Sequence, residues 1–351
     1  MTWLTWRQFR LQALVVLAAV AVLAIFLAVT GPALLNDYQS SHDGFLDRIS
    51  FDQINSYLYV VGQALVYAAP PVIGAFWGAP LIARELEAGT HRLVWNQSIS
   101  RTRWLATKLA ITGLAAMAVT GLLSLAVSWW SDPIDDAIGA GQASGIFNAP
   151  RLLPPIFGAR GVVPIGYAAF AFALGVAVGL VVRRSVVAIA ITLAGVIAVQ
   201  ILSPILLRPH LMTPVETEVI VTTENMRGLQ LSGPDQNPQV IRVEAQLEGL
   251  GFWKLSEHTV NAAGQVQKTL PSWVADCVPA PPGAPAADKG QQTQPMANCF
   301  QRLADEGYRQ VITYQPASRF WGLQWREAGL FLVLALALTG FSFWRIRRDL
   351  T

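Results

Sequence analysis

The sequence predicts an α-helical polytopic membrane protein with six transmembrane helices and a small α+β extracellular domain between helices five and six. Three observations predict this class. The 351 residues are 53% hydrophobic and only 13% charged, whereas soluble domains carry about 25% charged residues. The mean hydropathy is +0.42. Apolar runs long enough to cross a bilayer recur along the chain, since about 20 apolar residues span it as a helix.

Six apolar runs are candidate spans. The fourth and fifth runs are separated only by Arg183, Arg184 and Ser185, which predicts a tight hairpin. The second contains Pro70 and Pro71, which donate no backbone hydrogen bond and predict a kink. The runs are Leu11 to Leu35, Tyr57 to Ile82, Leu105 to Trp130, Val162 to Val182, Val186 to Leu207 and Gly329 to Trp344.

The distribution of lysine and arginine predicts the orientation, because short cytoplasmic loops are enriched in both residues. The short loops on the opposite side hold only Arg48, Arg151 and Arg160, together with several aspartates. Both termini are therefore expected in the cytoplasm, and the protein in the cytoplasmic membrane. The residues on the cytoplasmic side are Arg7, Arg10, Arg84, Arg92, Arg101, Arg103, Lys108, Arg183, Arg184, Arg345, Arg347 and Arg348.

The N-terminal segment, Thr2 to Arg10, interleaves aromatic with basic residues. This pattern suits a short amphipathic elbow helix in the cytoplasmic interface, and a simple aromatic belt at the membrane surface would produce it too. The following apolar run exceeds the roughly 7–15 residues of a signal peptide core. We therefore interpret it as an uncleaved first span.

The polar region 208–325 is too long for an ordinary loop, and the orientation places it outside the cell. It divides the chain into residues 1–207 with five spans, an extracellular domain at 208–325, and residues 326–351 with the sixth span and a cytoplasmic tail. Val215 to Thr223 and Gln239 to Val243 are predicted strands, and Asn298 to Tyr308 a short helix. The proline-rich stretch from Pro279 to Gln294 is predicted to be a flexible insertion.

Two cysteines, Cys277 and Cys299, lie on either side of this insertion. An extracytoplasmic location permits oxidation, so we predict a disulfide, which would contribute roughly 3 kcal/mol. Two free thiols are the alternative.

Signatures of catalysis are nearly absent from the sequence. No G-x-x-x-x-G-K-[ST] loop occurs, so the chain is not expected to bind ATP by that route. The four histidines are scattered, which predicts no metal site. The interiors of the predicted spans are almost free of charged residues, which argues against intramembrane proteolysis and proton-driven transport.

Neutral polar residues inside the spans are candidates for a substrate path: Gln63, Ser124, Gln200 and Ser203. Hydrogen bonding between helices is the alternative role. Trp321, Trp325 and Glu327 lie where the sixth span begins and are candidates for a gate. The alternative for Glu327 is an interfacial ion pair with Arg326 beside an aromatic belt.

A charged segment joins the second and third apolar runs. Glu85 and Glu87 precede Gly89, which suits a helix C-terminus, and Thr90 can cap a following short helix. Ser100 or Thr102 can cap the third span. We predict a helix–turn–helix that faces the cytosol and serves as a partner-binding surface. A solvated loop whose arginines only fix the topology is the alternative. The candidate surface comprises Arg84, Glu85, Glu87, Gly89, Thr90, His91 and Arg92.

This segment resembles the cytoplasmic segment of ABC-2 type exporter permeases, particularly actinobacterial ones. The similarity covers Glu85-x-Glu87-Ala88-Gly89-Thr90 and Arg101-x-Arg103-Trp104-x-x-x-Lys108, and extends to the six spans and the closing run from Phe320 to Arg348. The resemblance implies that the segment is a coupling helix that docks into a separate ATPase. The region between spans five and six is larger than is usual in the family.

The resemblance further implies the permease subunit of an ATP-driven exporter without a nucleotide site of its own. Its partners would be two ATPase chains, which bind ATP and Mg, a second permease copy or paralogue, and membrane lipid. The uncharged spans suit a hydrophobic or amphipathic substrate, such as a drug, lipid or lipopeptide. A membrane-anchored sensor or scaffold with a ligand-binding ectodomain is the alternative function, and an intramembrane enzyme a third.

Overall fold

A computed structural model describes residues 2–41, 44–89, 100–232, 239–245, 251–277 and 296–348. The chain forms two compact units. The helical unit comprises Met1–Met212 and Ser318–Thr351, and the second unit comprises Thr213–Ala317. Residues 208–212 and 318–325, assigned from the sequence to the extracellular domain, belong to the helical unit.

Six helices in the described residues are long and apolar enough to cross a membrane, as predicted. Most of these helices are longer than the apolar runs from which they were predicted, because polar residues extend the helices at one or both ends. Spans 1 to 6 are Ala13–Ser40, Gln53–Glu87, Arg101–Gly139, Val163–Val182, Ser185–Leu211 and Ala317–Arg348. The short helices of this unit are Phe45–Phe51 and Pro154–Phe157.

Span 1 continues an uninterrupted helix that begins at Thr2 and ends at Ser40. The separate amphipathic elbow helix predicted for Thr2 to Arg10 is therefore not confirmed. Residues Arg7 to Gln12 include neither proline nor glycine, so nothing in the sequence breaks the helix between the aromatic segment and the apolar run.

Span 2 changes its helical form halfway. An α-helix from Gln53 to Ile73 contains both prolines and is followed by a π-helical turn, Gly74–Gly78, and a second α-helix, Ala79–Glu87. The missing proline donors were predicted to kink the span, and the structure widens the helix immediately after them. Span 5 has the same arrangement, with an α-helix over Ser185–Leu202, a π-helical turn over Ser203–Leu207 and a last turn over Arg208–Leu211.

Span 4 is the central helix of the unit. Its apolar segment is 67% buried, whereas that of span 1 is only 17% buried. Glycines allow the backbones of its neighbours to touch it: a Cβ added at Gly78 would lie 2.6 Å from the Phe172 carbonyl oxygen, and one at Gly166 would lie 2.9 Å from the backbone of Ala328. Spans 2 and 6 therefore pack directly against span 4.

Two apolar clusters mark the two ends of the helical unit. The end that holds both chain termini is here called the terminal side and is marked by Ala13, Ile82, Trp104, Leu180 and Ile346. The opposite end is called the far side and is marked by Leu34, Phe45, Trp130, Ile134 and Phe147.

The second unit contains a small antiparallel sheet and is the small α+β domain that the sequence predicted. Four strands pair in the order β1-β6-β4-β5, and β2 pairs with β3 as a separate hairpin. The register of the β1–β6 pair aligns Val215 with Tyr314 and Val219 with Gln310. The strands are β1 Val215–Val219, β2 Met226–Ser232, β3 Gln239–Ala245, β4 Trp253–Val260, β5 Val266–Gln267 and β6 Arg309–Gln315.

A helix over Met296–Asp305 completes this unit, close to the predicted 298–308. Phe300 and Leu303 from the helix pack with Ile312 of β6 in the apolar core. Short 3₁₀ turns cover Ser272–Cys277 and Ala317–Arg319. The predicted insertion from Pro279 to Gln294 lies outside the described residues.

Candidate coupling site and buried polar cluster

The end of span 2 carries the candidate coupling residues. The helix ends at Glu87, and Gly89 has a φ of 68°, in the left-handed region where a glycine is unstrained. The described chain resumes at Ser100, whose side chain accepts a hydrogen bond from the Arg103 amide at 3.3 Å and so caps span 3. Of the predicted coupling residues, Thr90, His91 and Arg92 lie outside the described residues.

Glu85 does not simply face water, as its place in a charged segment suggested. Its carboxylate accepts a hydrogen bond from the Lys108 ammonium of span 3. The side chains of Lys108 and Glu85 are 5% and 17% exposed, respectively. Lys108 also lies 5.0 Å from the centre of the Trp104 ring. This ion pair fastens the end of span 2 to the beginning of span 3.

Glu87 is exposed but makes two hydrogen bonds to a different span. Its Oε2 accepts one from the Ser185 backbone amide at 3.0 Å and one from the Ser185 hydroxyl at 2.7 Å. Ser185 is the first residue of span 5. A carboxylate from span 2 thus satisfies a donor at the N-terminus of another helix, where its charge is also favourable. Arg84, one turn earlier, is exposed.

A fully buried ion pair lies on the far side, between spans 5 and 6. Arg208 donates from Nε to Glu327 Oε2 at 2.7 Å and from Nη2 to Oε1 at 3.1 Å. Tyr167 of span 4 and Ser203 of span 5 donate to the same Oε1 at 2.7 and 3.0 Å. The Glu327 and Arg208 side chains are 0% and 1% exposed. Bidentate pairing with extra donors is the geometry in which a buried charge is tolerated.

The predicted interfacial pair between Glu327 and Arg326 is wrong. Arg326 instead donates to the Leu211 carbonyl oxygen at 2.6 Å. The candidate gate residues do not lie together either, because Trp321 and Trp325 are 53% and 64% exposed while Glu327 is buried. Trp321 and Trp325 are four residues apart and therefore occupy the outer face of span 6.

The other candidate path residues lie on spans 2, 3 and 5. The Ser124 hydroxyl donates to the Gly161 carbonyl oxygen at 2.8 Å. Gln200 donates to the Tyr67 carbonyl oxygen at 2.9 Å, and the Tyr67 hydroxyl donates back to the Gln200 carbonyl oxygen at 3.3 Å. Gln63 is half-buried on span 2. These bonds match the alternative role of hydrogen bonding between helices, and the role of a substrate path stays a prediction.

Gln324 of span 6 caps the beginning of span 4, which the sequence did not indicate. Its Oε1 accepts hydrogen bonds from the backbone amides of Val162 and Val163 at 3.0 and 2.9 Å. Its Nε2 donates to the Phe157 carbonyl oxygen at 3.0 Å. Gln324 is 0% exposed, so these bonds satisfy backbone groups that water does not reach.

A second buried ion pair joins Arg160 to Asp135 of span 3, with 3.1 Å between Arg160 Nε and Asp135 Oδ2. Their side chains are 2% and 4% exposed. The sequence placed both residues in loops on the outer side. The helices are longer than the apolar runs, so charges assigned to loops pair inside the protein. Within the described parts of the chain, no three His, Cys, Asp or Glu side chains group as a metal site.

An apolar cavity of about 300 Å³ lies between spans 1, 2 and 3. Its walls run from Val15 to Leu23 on span 1 and from Leu65 to Trp77 on span 2, and Val119 and Leu123 of span 3 complete them. Every lining residue is apolar. The cavity can therefore hold hydrocarbon but offers no polar side chain to a sugar or an ion.

Comparison with known proteins gives a family assignment for the helical part. A sequence model described as ABC-2 membrane transporter related matches residues 17–208. Comparison with curated proteins and with solved structures gave no match. The family match covers most of the first five spans and more than half of the chain. The six-helix protein therefore belongs to the ABC-2 membrane transporter related family.

Proposed function

We propose that this chain is the transmembrane permease of an ATP-driven exporter in the cytoplasmic membrane. The observation that carries the proposal is the end of span 2, where acidic residues and a left-handed glycine precede a charged segment in a protein of the ABC-2 family. Two ATPase chains would bind ATP and Mg and dock on this segment, which includes Thr90, His91 and Arg92. A second permease copy or paralogue would complete the transporter.

The charge distribution supports a cytoplasmic position for the terminal side. The helix ends on this side carry several arginines, including Arg84, Arg101, Arg183 and Arg347. Positive residues favour the cytoplasmic face of the membrane. Both termini would then be cytoplasmic, and the unit Thr213–Ala317 would be extracellular.

The apolar cavity supports a hydrophobic or amphipathic substrate. Its walls lie entirely within spans 1, 2 and 3. A drug, lipid or lipopeptide could place an apolar portion there without losing hydrogen bonds. The wall formed by span 2 includes Trp77 in the π-helical turn, ten residues before the end of that span at Glu87.

Filling the cavity tests this assignment. Ala19 lines the cavity and its neighbour Ala18 is exposed without lining it. We expect Ala19→Phe to lower substrate-dependent stimulation of ATP hydrolysis about tenfold, since roughly 1.4 kcal/mol of lost contact is a factor of ten in affinity. Ala18→Phe is the matched control and should stay near wild type. Equal loss in both variants would argue against the cavity as a substrate site.

Co-purification tests the proposed function itself. The tagged chain would be expressed with its genomic neighbours and purified, and ATP hydrolysis would be measured with wild type and with Glu85→Ala/Glu87→Ala. We expect an ATPase to co-purify and its stimulation by the permease to fall in the variant. Arg84→Ala removes an exposed charge without breaking a contact described above. It therefore distinguishes loss of charge on the docking surface from loss of the hydrogen bonds that Glu85 and Glu87 make within the protein. Absence of any ATPase from a well-folded preparation would refute the proposal.

A disulfide between Cys277 and Cys299 would stiffen the second unit. Cys299 is buried in the core of this unit, at 1% exposure, and the side chain of Cys277 lies outside the described residues. The pairing stays a prediction. Peptide mapping of the unreduced protein should recover the two cysteine peptides linked, and recovery of two free thiols would contradict it.

A further inference from the structure

We infer that Glu87 is a positioning residue that transmits movement of the coupling segment to the turn between spans 4 and 5. This inference rests on the proposed function. It adds a route by which movement of the ATPase reaches spans 4 and 5. It assigns a role to a contact, Glu87 to Ser185, that joins residues 98 positions apart in the chain.

The first step is the position of Glu87. It is the last residue of span 2 and lies two residues before Gly89. Any displacement of the segment that follows Gly89 must pull or push on this helical turn, because the chain between them has almost no slack. The carboxylate is therefore placed where a partner's movement enters the membrane part.

The second step is what the carboxylate holds. The residue that precedes span 5, Arg184, makes no side-chain capping bond among the described residues. Its backbone is nevertheless extended, with φ −128° and ψ 117°, as in an ordinary helix N-cap. Glu87 supplies from span 2 an acceptor for the first amide of span 5, that of Ser185, whereas a serine or aspartate at 184 would accept from the second or third amide. The beginning of span 5 is thus fixed to span 2 rather than to its own turn.

The third step is the stiffness of the turn. Only Arg183 and Arg184 separate spans 4 and 5. Within the described residues, Arg183 is the only non-glycine residue with a positive φ, at 58°. A two-residue turn in a restricted conformation passes a displacement of Ser185 on to the end of span 4.

The fourth step is the packing behind the hydrogen bonds. Ala79 and Ala83 of span 2 pack against Ala188 of span 5. A Cβ added at Gly179 of span 4 would lie 2.5 Å from the Ala79 carbonyl oxygen. These contacts of small residues bring the three helices close together, and the bonds from Glu87 add polar contacts at their ends.

The experiment separates a capping role from a transmitting role. Glu87→Ala removes the acceptor, and Arg184→Ser in the same chain supplies a local N-cap for span 5. Permease–ATPase complexes of wild type, Glu87→Ala, Arg184→Ser and the double variant would be purified. Two quantities would be measured for each: the thermal midpoint of the complex and the stimulation of ATP hydrolysis by substrate.

We expect Glu87→Ala to lower the stimulation at least about fivefold, the lower range of coupling between distant sites. The double variant should regain the thermal midpoint of Arg184→Ser but keep the low stimulation. If the local cap restores stimulation as well, Glu87 is only a helix cap and the inference is overturned.

The same experiment distinguishes this inference from the function on which it rests. Wild-type stimulation in Glu87→Ala, with the ATPase bound, overturns the inference and leaves the exporter assignment intact. Failure of any ATPase to bind the wild-type chain overturns both.

Discussion

Spans 4 and 5 each begin at a backbone end capped by a side chain from a different helix, yet the two caps differ in surroundings. On the far side, Gln324 is fully buried and makes two hydrogen bonds to the start of span 4 and a third to the Phe157 carbonyl oxygen. On the terminal side, Glu87 is exposed and holds span 5 with two hydrogen bonds. The hydrogen bonds of the cap on the far side are buried, whereas water can compete for those of the cap on the terminal side.

The ion pairs follow the same division. Arg208–Glu327 and Arg160–Asp135 on the far side have side chains at most 4% exposed. Lys108–Glu85 on the terminal side reaches water through a Glu85 side chain that is 17% exposed. A buried charge that loses its partner cannot be hydrated, so the same deletion costs more on the far side.

The largest effect should follow from Glu327→Ala. It leaves Arg208 charged and buried, and we expect the free energy of unfolding to fall by about 3–5 kcal/mol. Thermal or denaturant unfolding in detergent would measure the change. Trp325→Ala, on the exposed face of the same helix, serves as the control and should cost far less. Stability restored by Glu327→Met combined with Arg208→Met would identify the unpaired charge as the cause.

Gln324→Leu should come next, with a loss of about 2–3 kcal/mol, because the amides of Val162 and Val163 lose their acceptor. Gln324→Glu keeps an acceptor oxygen at the start of span 4, where negative charge is favourable. The comparison by thermal unfolding should rank wild type first, then Gln324→Glu, then Gln324→Leu. A Leu variant as stable as wild type would contradict the capping role.

Lys108→Met should have the smallest effect of the three, about 1–2 kcal/mol, since the Glu85 carboxylate it leaves behind can turn toward water. Arg103→Met changes an exposed arginine one turn away and is the matched control. The expected order of unfolding free energies places Lys108→Met above both far-side variants. A loss as large as that of Glu327→Ala would abolish the distinction between the two sides.

The sequence predicted the helices better than their contacts. Length and apolarity were sufficient for the six spans, and the local chemistry of Gly89 and Ser100 placed a helix end and a helix start correctly. These signals act within a few residues and need no tertiary information. The family resemblance, which was read from the segment between spans 2 and 3, also proved correct.

The pairing of charges was not predictable in the same way. Arg208 meets Glu327 across 119 positions and Gln324 meets Val163 across 161. Glu327 was assigned to its neighbour Arg326 because a single sequence offers only nearby partners. The two side chains point in different directions from the helix, since adjacent residues are about 100° apart around its axis. The apolar runs themselves contain few charged residues. That observation could not predict the buried charges of Arg208 and Glu327, which lie within one helical turn of the ends of those runs.

The separation of Arg208 from Glu327 also orders the biosynthesis of the protein. At synthesis rates of about 5–20 residues per second, Arg208 leaves the ribosome about 6–24 seconds before Glu327, which lies 119 residues later. During that delay the arginine stands at the end of an inserted helix without its counter-ion, and its long side chain must reach back to the membrane surface. Only insertion of the last helix lets both charges leave water together. The ion pair between Arg208 and Glu327 therefore forms only after the last helix has been translated. A ribosome that stalls while translating the second unit would leave a protein whose first five helices are inserted but lack this ion pair.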